Sequence, residues 1–108
     1  MVELELIRQA VVEIARANGA VKAILFGSYA RGTPTARSDV DLIFVEETSL
    51  PFLARLDRYL NPLVDRLRTS VEAFVYTPSE FQRMAEGPFV RKALDEGILL
   101  YESGKVQS

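Results

Sequence analysis

The sequence predicts an α/β-type domain with the element order αβαβαβααβ. Three observations carry this. Residues 21–26, 40–45 and 71–76 are apolar runs of strand length. Segments with helical spacing lie before and between them, at 3–18 and 50–67. Thr77-Pro78-Ser79-Glu80 then opens a helical C-terminal stretch with a capping box.

Taken in order, Leu4, Ile7, Val11, Ile14 and Ala15 form one helical stripe. Asn18-Gly19 stops that helix, because both residues tolerate a left-handed backbone. Val21 to Phe26, broken only by Lys22, reads as a central strand ended by Gly27. Ser28 to Arg31 makes a short helix, and Gly32 to Ser38, with Pro34, a loop. Val40 to Val45 is a second buried strand, interrupted by Asp41. Glu46 to Ser49 is a turn.

Leu53, Leu56, Leu60, Leu63, Val64 and Leu67 return to helical spacing and read as core. Pro62 interrupts them and lacks the N–H that a helix interior uses. The expectation is a kink, or two short helices with Asn61 as cap and Pro62 in the first position of the second. Val71 to Tyr76 is a third strand. The helix opened by Thr77 is separated by Gly87-Pro88 from a last one ending near Gly97. Ile98 to Tyr101 reads as a short edge strand, with a polar tail from about residue 102.

The 108 residues suit one domain, 1–108, with roughly two-thirds of the unfolded surface buried. The chain contains no cysteine and no histidine. Disulfides, zinc–thiolate sites and histidine-based triads are therefore excluded, leaving carboxylates, hydroxyls, basic side chains and a hard cation for any catalysis. The net charge of −2 argues against a protein that lives on long nucleic acid. A small nucleotide or a protein partner is the better expectation. No apolar run approaches the roughly 18 residues that span a bilayer, and the acidic N-terminus is unlike a signal peptide, so the cytoplasm is the expected compartment.

The chemistry concentrates in residues 27–41. Asp39 and Asp41, two apart in an extended segment, point the same way. Carboxylates that close repel unless a cation sits between them. Mg²⁺ takes one or two carboxylates together with phosphate oxygens and water, so the pair reads as a half-built site that a nucleoside triphosphate completes. A strand that began late would instead leave Asp39 in a turn and Asp41 in solvent. Gly27-Ser28, ten residues upstream, favours the paired reading. Its glycine allows close backbone approach, and the following helix offers amides and a hydroxyl to a phosphate, although serine is also an ordinary helix cap.

Glu72 opens the third strand. If that strand neighbours the second, Glu72 faces the aspartates and activates an incoming hydroxyl, directly or through a second metal; on an edge strand its face would be wet. Arg31 is a candidate phosphate ligand and Arg37 a weaker one. Tyr29 packs in the core or against a base, with packing favoured.

Gly27-Ser28, residues 29–38 and Asp39-Val40-Asp41 together resemble the signature of the nucleotidyltransferase superfamily that includes DNA polymerase β, in particular its minimal nucleotidyltransferase (MNT) branch. Ala30-Arg31-Gly32 and Leu42 also match common family choices. The resemblance implies a mixed, twisted sheet of about four strands backed by helices, with Ser28 on a nucleotide phosphate and Mg²⁺ on Asp39 and Asp41. The family's third carboxylate is most often aspartate; Glu72 is one methylene longer. MNT proteins are typically antitoxins paired with a small helical HEPN toxin, to which the studied cases transfer AMP from ATP on a tyrosine. The resemblance thus implies an Mg²⁺-dependent protein adenylyltransferase of a toxin–antitoxin pair, working as a homo- or hetero-oligomer. The alternative is a module that masks its partner by contact alone. Transfer to a small molecule is disfavoured, because relatives that do so carry an extra domain.

Overall fold

A computed structural model describes residues 1–103. Its elements are helix α1 (Leu4–Asn18), strand β1 (Lys22–Phe26), helix α2 (Gly27–Arg31), strand β2 (Val40–Val45), helix α3 (Asp57–Leu67), strand β3 (Val71–Tyr76), helices α4 (Pro78–Met84) and α5 (Pro88–Glu96), and strand β4 (Ile98–Glu102). The strands form one mixed sheet in the order β3-β2-β1-β4. β1 runs antiparallel to β2 and β4, while β2 and β3 are parallel. The αβαβαβααβ order holds, with a short 3₁₀ turn added at Phe52–Arg55. β4 continues one residue beyond the expected Tyr101, pairing Glu102 with Lys22. Residues 104–108 of the expected polar tail lie outside the described residues.

Alternation along the strands sends side chains to two cores. On one face Ala23, Leu25, Val40, Leu42, Phe44, Ala73 and Val75 pack with α1 and α3. On the other, Ile24, Ile43, Val45 and Tyr76 pack with Val90 and Ala93 of α5. α1 buries Ile7, Ala10, Val11, Ile14 and Ala15, and Gly19 closes it in a left-handed conformation (φ 78°), as Asn18-Gly19 predicted. Leu4 is exposed despite its place in the apolar stripe, and so are Leu53 and Val64. Leu53 sits in the 3₁₀ turn ahead of α3, off the packed helical face. Tyr29 packs in the first core. Among the described residues no helix is long and apolar enough to cross a membrane.

Of the two expectations at Pro62, the split into two short helices is absent. Pro62 and Asn61 lie inside α3, and the interruption falls earlier, at Leu56. In a helix the N–H of residue 62 would serve the carbonyl of Arg58. Pro62 has no N–H to give, and the Asn18 side-chain amide, at the end of α1, donates to that carbonyl instead at 3.1 Å. The orphaned acceptor is satisfied from a neighbouring helix, so the proline is tolerated. Asn18→Ala is expected to cost about 1–2 kcal/mol in chemical denaturation. The cost should shrink in a Pro62→Ala background, where the backbone supplies its own donor; an equal loss in both backgrounds refutes the compensation.

Two buried polar groups tie the sheet's far end together. Glu46 receives hydrogen bonds from the Arg58 guanidinium at 2.9 Å and from the Tyr59 hydroxyl. Arg55 donates to the Val75 carbonyl at 2.9 Å and to both oxygens of Glu80, at 2.7 and 3.2 Å. Glu80 also accepts from the Thr77 backbone N–H, completing the predicted capping box. The Arg55 guanidinium, followed by the Thr77 backbone donor, lowers the Glu80 carboxyl to about 2. A depressed carboxyl contributes stability above its ordinary range and loses it as pH falls through the folded value. Glu80→Gln should therefore flatten the acid limb of the stability curve between about pH 4.5 and 2. An unchanged acid limb would show that the pair adds nothing.

Candidate active site

The sheet brings the predicted acidic residues together. Register places Phe26 of β1 beside Asp41 of β2, and Asp41 beside Glu72 of β3. Because β2 and β3 are parallel, both offer their N-terminal ends at this edge, next to the C-terminal end of antiparallel β1. Asp39 lies one residue before β2, so it does sit ahead of the strand. Its carboxylate nevertheless converges with the others: single oxygens of Asp39, Asp41 and Glu72 all lie within 4.8 Å of one another. Glu72 is on an edge strand and exposed, as one sequence reading had it, and it also faces the aspartates, as the other had it.

The loop that delivers Asp39 is closed on itself. The Thr35 amide donates to Ser38 Oγ at 2.9 Å, and the Ser38 amide returns to the Thr35 carbonyl at 3.0 Å. Arg37 is exposed on this loop, away from the residues that line the cleft described below.

Gly27 is where the two halves of the motif meet. It has a left-handed backbone (φ 77°), and a Cβ placed there would come 2.2 Å from Asp41 Oδ2. Only glycine permits both the turn from β1 into α2 and the seat of Asp41 against it. Ser28 follows at the start of α2 and is half-buried.

Partial burial first, then the Glu72 carboxylate and more weakly Asp39, push the Asp41 carboxyl up to about 6, with Arg31 opposing. The donor set is all carboxylate oxygen, with Asp39 and Glu72 open to solvent. That combination fits a hard divalent cation which keeps positions for water and phosphate, and it would relieve the repulsion that raises Asp41.

A cleft of about 290 Å³ opens beside Gly27, lined by Phe26, Gly27, Arg31, Phe89, Lys92 and Glu96. Arg31, predicted from sequence, is exposed there and pairs with Glu96 at 3.3 Å. Phe89, Lys92 and Glu96 escaped the sequence reading. They share one face of α5 at helical spacing, a pattern indistinguishable from any amphipathic helix until α5 is laid against α2.

The profile of a family described as nucleotidyltransferase domain matches residues 4–100. A protein of Methanocaldococcus jannaschii named as a candidate protein adenylyltransferase, MJ0604, is 34% identical over 80 residues, covering 74% of this chain and 77% of its own length. A solved minimal nucleotidyltransferase aligns with a TM-score of 0.68 and 28% identity, over 88% of this chain and 90% of that one. One chain of the solved complex of a tri-AMPylated Shewanella oneidensis HEPN toxin with MNT antitoxin aligns with a TM-score of 0.60 and 18% identity, over 92% of this chain and 72% of that one. The last match speaks to the fold alone. Family match and sequence relative agree with the geometry at Gly27 and the three carboxylates: this chain belongs to the nucleotidyltransferase domain family, and it is a nucleotidyltransferase.

Proposed function

We propose that the chain is an Mg²⁺-dependent adenylyltransferase that moves AMP from ATP to a hydroxyl, a tyrosine for preference, on a HEPN-type helical partner. The observation that carries the reading is the convergence of Asp39, Asp41 and Glu72 within 4.8 Å against Gly27. The adenylyltransferase name of the M. jannaschii relative and the AMPylated toxin in the S. oneidensis complex support the choice of AMP and of partner.

In this reading Asp39 and Asp41 hold the cation, with Glu72 beside them. Bound Mg²⁺ supplies charge neutralisation on the oxygens that attack and leave. The chain's residues do the rest. Gly27 and Ser28 hold phosphate oxygens through backbone amide and hydroxyl. Glu72, on the open edge strand, receives the proton of the acceptor hydroxyl. The acceptor oxygen forms a bond to the α-phosphorus, the α–β bridging bond breaks in line, and pyrophosphate leaves.

The test is a mass measurement. The protein, MgATP and a HEPN partner should yield a partner heavier by one or more AMP groups. Asp39→Ala and Asp41→Ala should each remove the gain. A gain that survives both substitutions sinks the assigned site. Neutralisation of the partner that survives them without any nucleotide favours the contact-only module.

A further inference from the structure

We propose that Lys92, together with Arg31, clamps the β- and γ-phosphates of the bound nucleotide on the Gly27 side of the carboxylates. This rests on the ATP-dependent transfer proposed above and adds a residue on α5 to it.

Position is the first reason. The cleft between α2 and α5 begins at Gly27, the residue against which Asp41 is seated. In the sheet order β3-β2-β1, Asp41 has Glu72 on one side and the end of β1 on the other. An in-line displacement puts attacking and leaving groups on opposite sides of the phosphorus. If the acceptor comes in beside Glu72, the departing pyrophosphate lies on the Gly27 side, where the cleft opens.

Charge is the second. Pyrophosphate leaves with several negative charges and needs cations near it. The cleft carries two cations and one anion: Arg31, Lys92 and Glu96. Lys92 is exposed and forms no salt bridge among the described residues. Arg31 is held by Glu96, but both side chains are substantially exposed, and such pairs contribute little, so the guanidinium is readily redirected to phosphate. Lys92 and Glu96 are four apart on α5, which sets Lys92 one turn along the same face. In the same cleft Phe26 and Phe89 meet edge to face at 5.7 Å. Phe89 is itself exposed, so the pair gives the cleft an apolar wall that remains open to solvent. The cleft thus suits a flexible polyanion gripped from α5.

Calorimetric titration of the 108-residue chain with ATP, ADP and AMP in Mg²⁺ decides it. Lys92→Met should weaken ATP by about tenfold and leave AMP within about twofold, with ADP between. Lys92→Arg should restore most of the ATP affinity. Lys92 is exposed, so the fold should be untouched, and a circular dichroism spectrum matched to the unsubstituted protein checks this. Unchanged ATP affinity in Lys92→Met overturns the clamp alone. Equal losses for ATP and AMP also overturn it, and place Lys92 at the nucleoside. If the unsubstituted chain binds no MgATP, the proposed transfer of AMP from ATP falls together with the clamp.

Discussion

Asp41→Asn should abolish nucleotidyl transfer and still make the metal-free protein more resistant to heat. The two effects have one cause. The fold holds Asp41 half-buried beside two other carboxylates, which pushes its carboxyl up to about 6. An acid whose folded value is raised favours folding most when protonated. Its contribution is therefore greatest below the ordinary value of 3.8, falls as pH rises toward 6, and is a constant penalty above that. Asparagine keeps the shape and removes the charge. After discounting for solvent screening, the gain at pH 7 is about 1 kcal/mol, or about 4 °C in Tm. The rate should fall at least about a thousandfold, because the lost oxygen is one that would hold the cation. Mg²⁺ should raise the Tm of the unsubstituted protein at pH 7 more than at pH 5, where a proton competes for Asp41, and should do little for Asp41→Asn. A variant that is inactive but less stable would contradict the repulsion that the geometry describes.

Gly27→Ala should do the opposite to stability and lesser, still large, damage to activity. The left-handed backbone alone costs an alanine about 1–2 kcal/mol. The new Cβ would also stand 2.2 Å from Asp41 Oδ2. That oxygen ends a side chain and can move, so the protein should fold. Displacing it by about an ångström, however, should cost roughly a hundredfold in rate. Gly19→Ala is the control. Gly19 has nearly the same backbone (φ 78°), but nothing lies within 4 Å of its added Cβ. It should lose stability to the same extent and keep its activity. If Gly27→Ala retains full transfer, the contact between Gly27 and Asp41 is not part of the machinery.

The sheet was largely readable in the sequence because its strands are short apolar runs bounded by turn residues. β2 and β3 fall on the predicted residues, 40–45 and 71–76. The capping box at Thr77 and the stop at Gly19 were readable for the same reason: each is completed by residues a few positions apart. The split at Pro62 into two helices does not occur, because the remedy is remote. No local pattern says that Asn18 will reach the Arg58 carbonyl. Arg55 and Glu46 likewise carry no local mark of burial; α3 and the Thr77 turn close around them.

The linear order of residues determined the signature itself, Gly27-Ser28 and then Asp39 and Asp41, and with it the family and the kind of chemistry. Those residues share one strand–helix–strand hairpin, so spacing and the two-residue alternation of an extended chain are enough to orient them. Tertiary structure alone decided that β3 lies parallel to β2, bringing Glu72 to the aspartates, and that α5 crosses the sheet to set Lys92 and Phe89 beside Gly27. Both are pairings between distant segments. They are chosen by which apolar faces bury each other best, and that competition leaves no periodic mark along the chain.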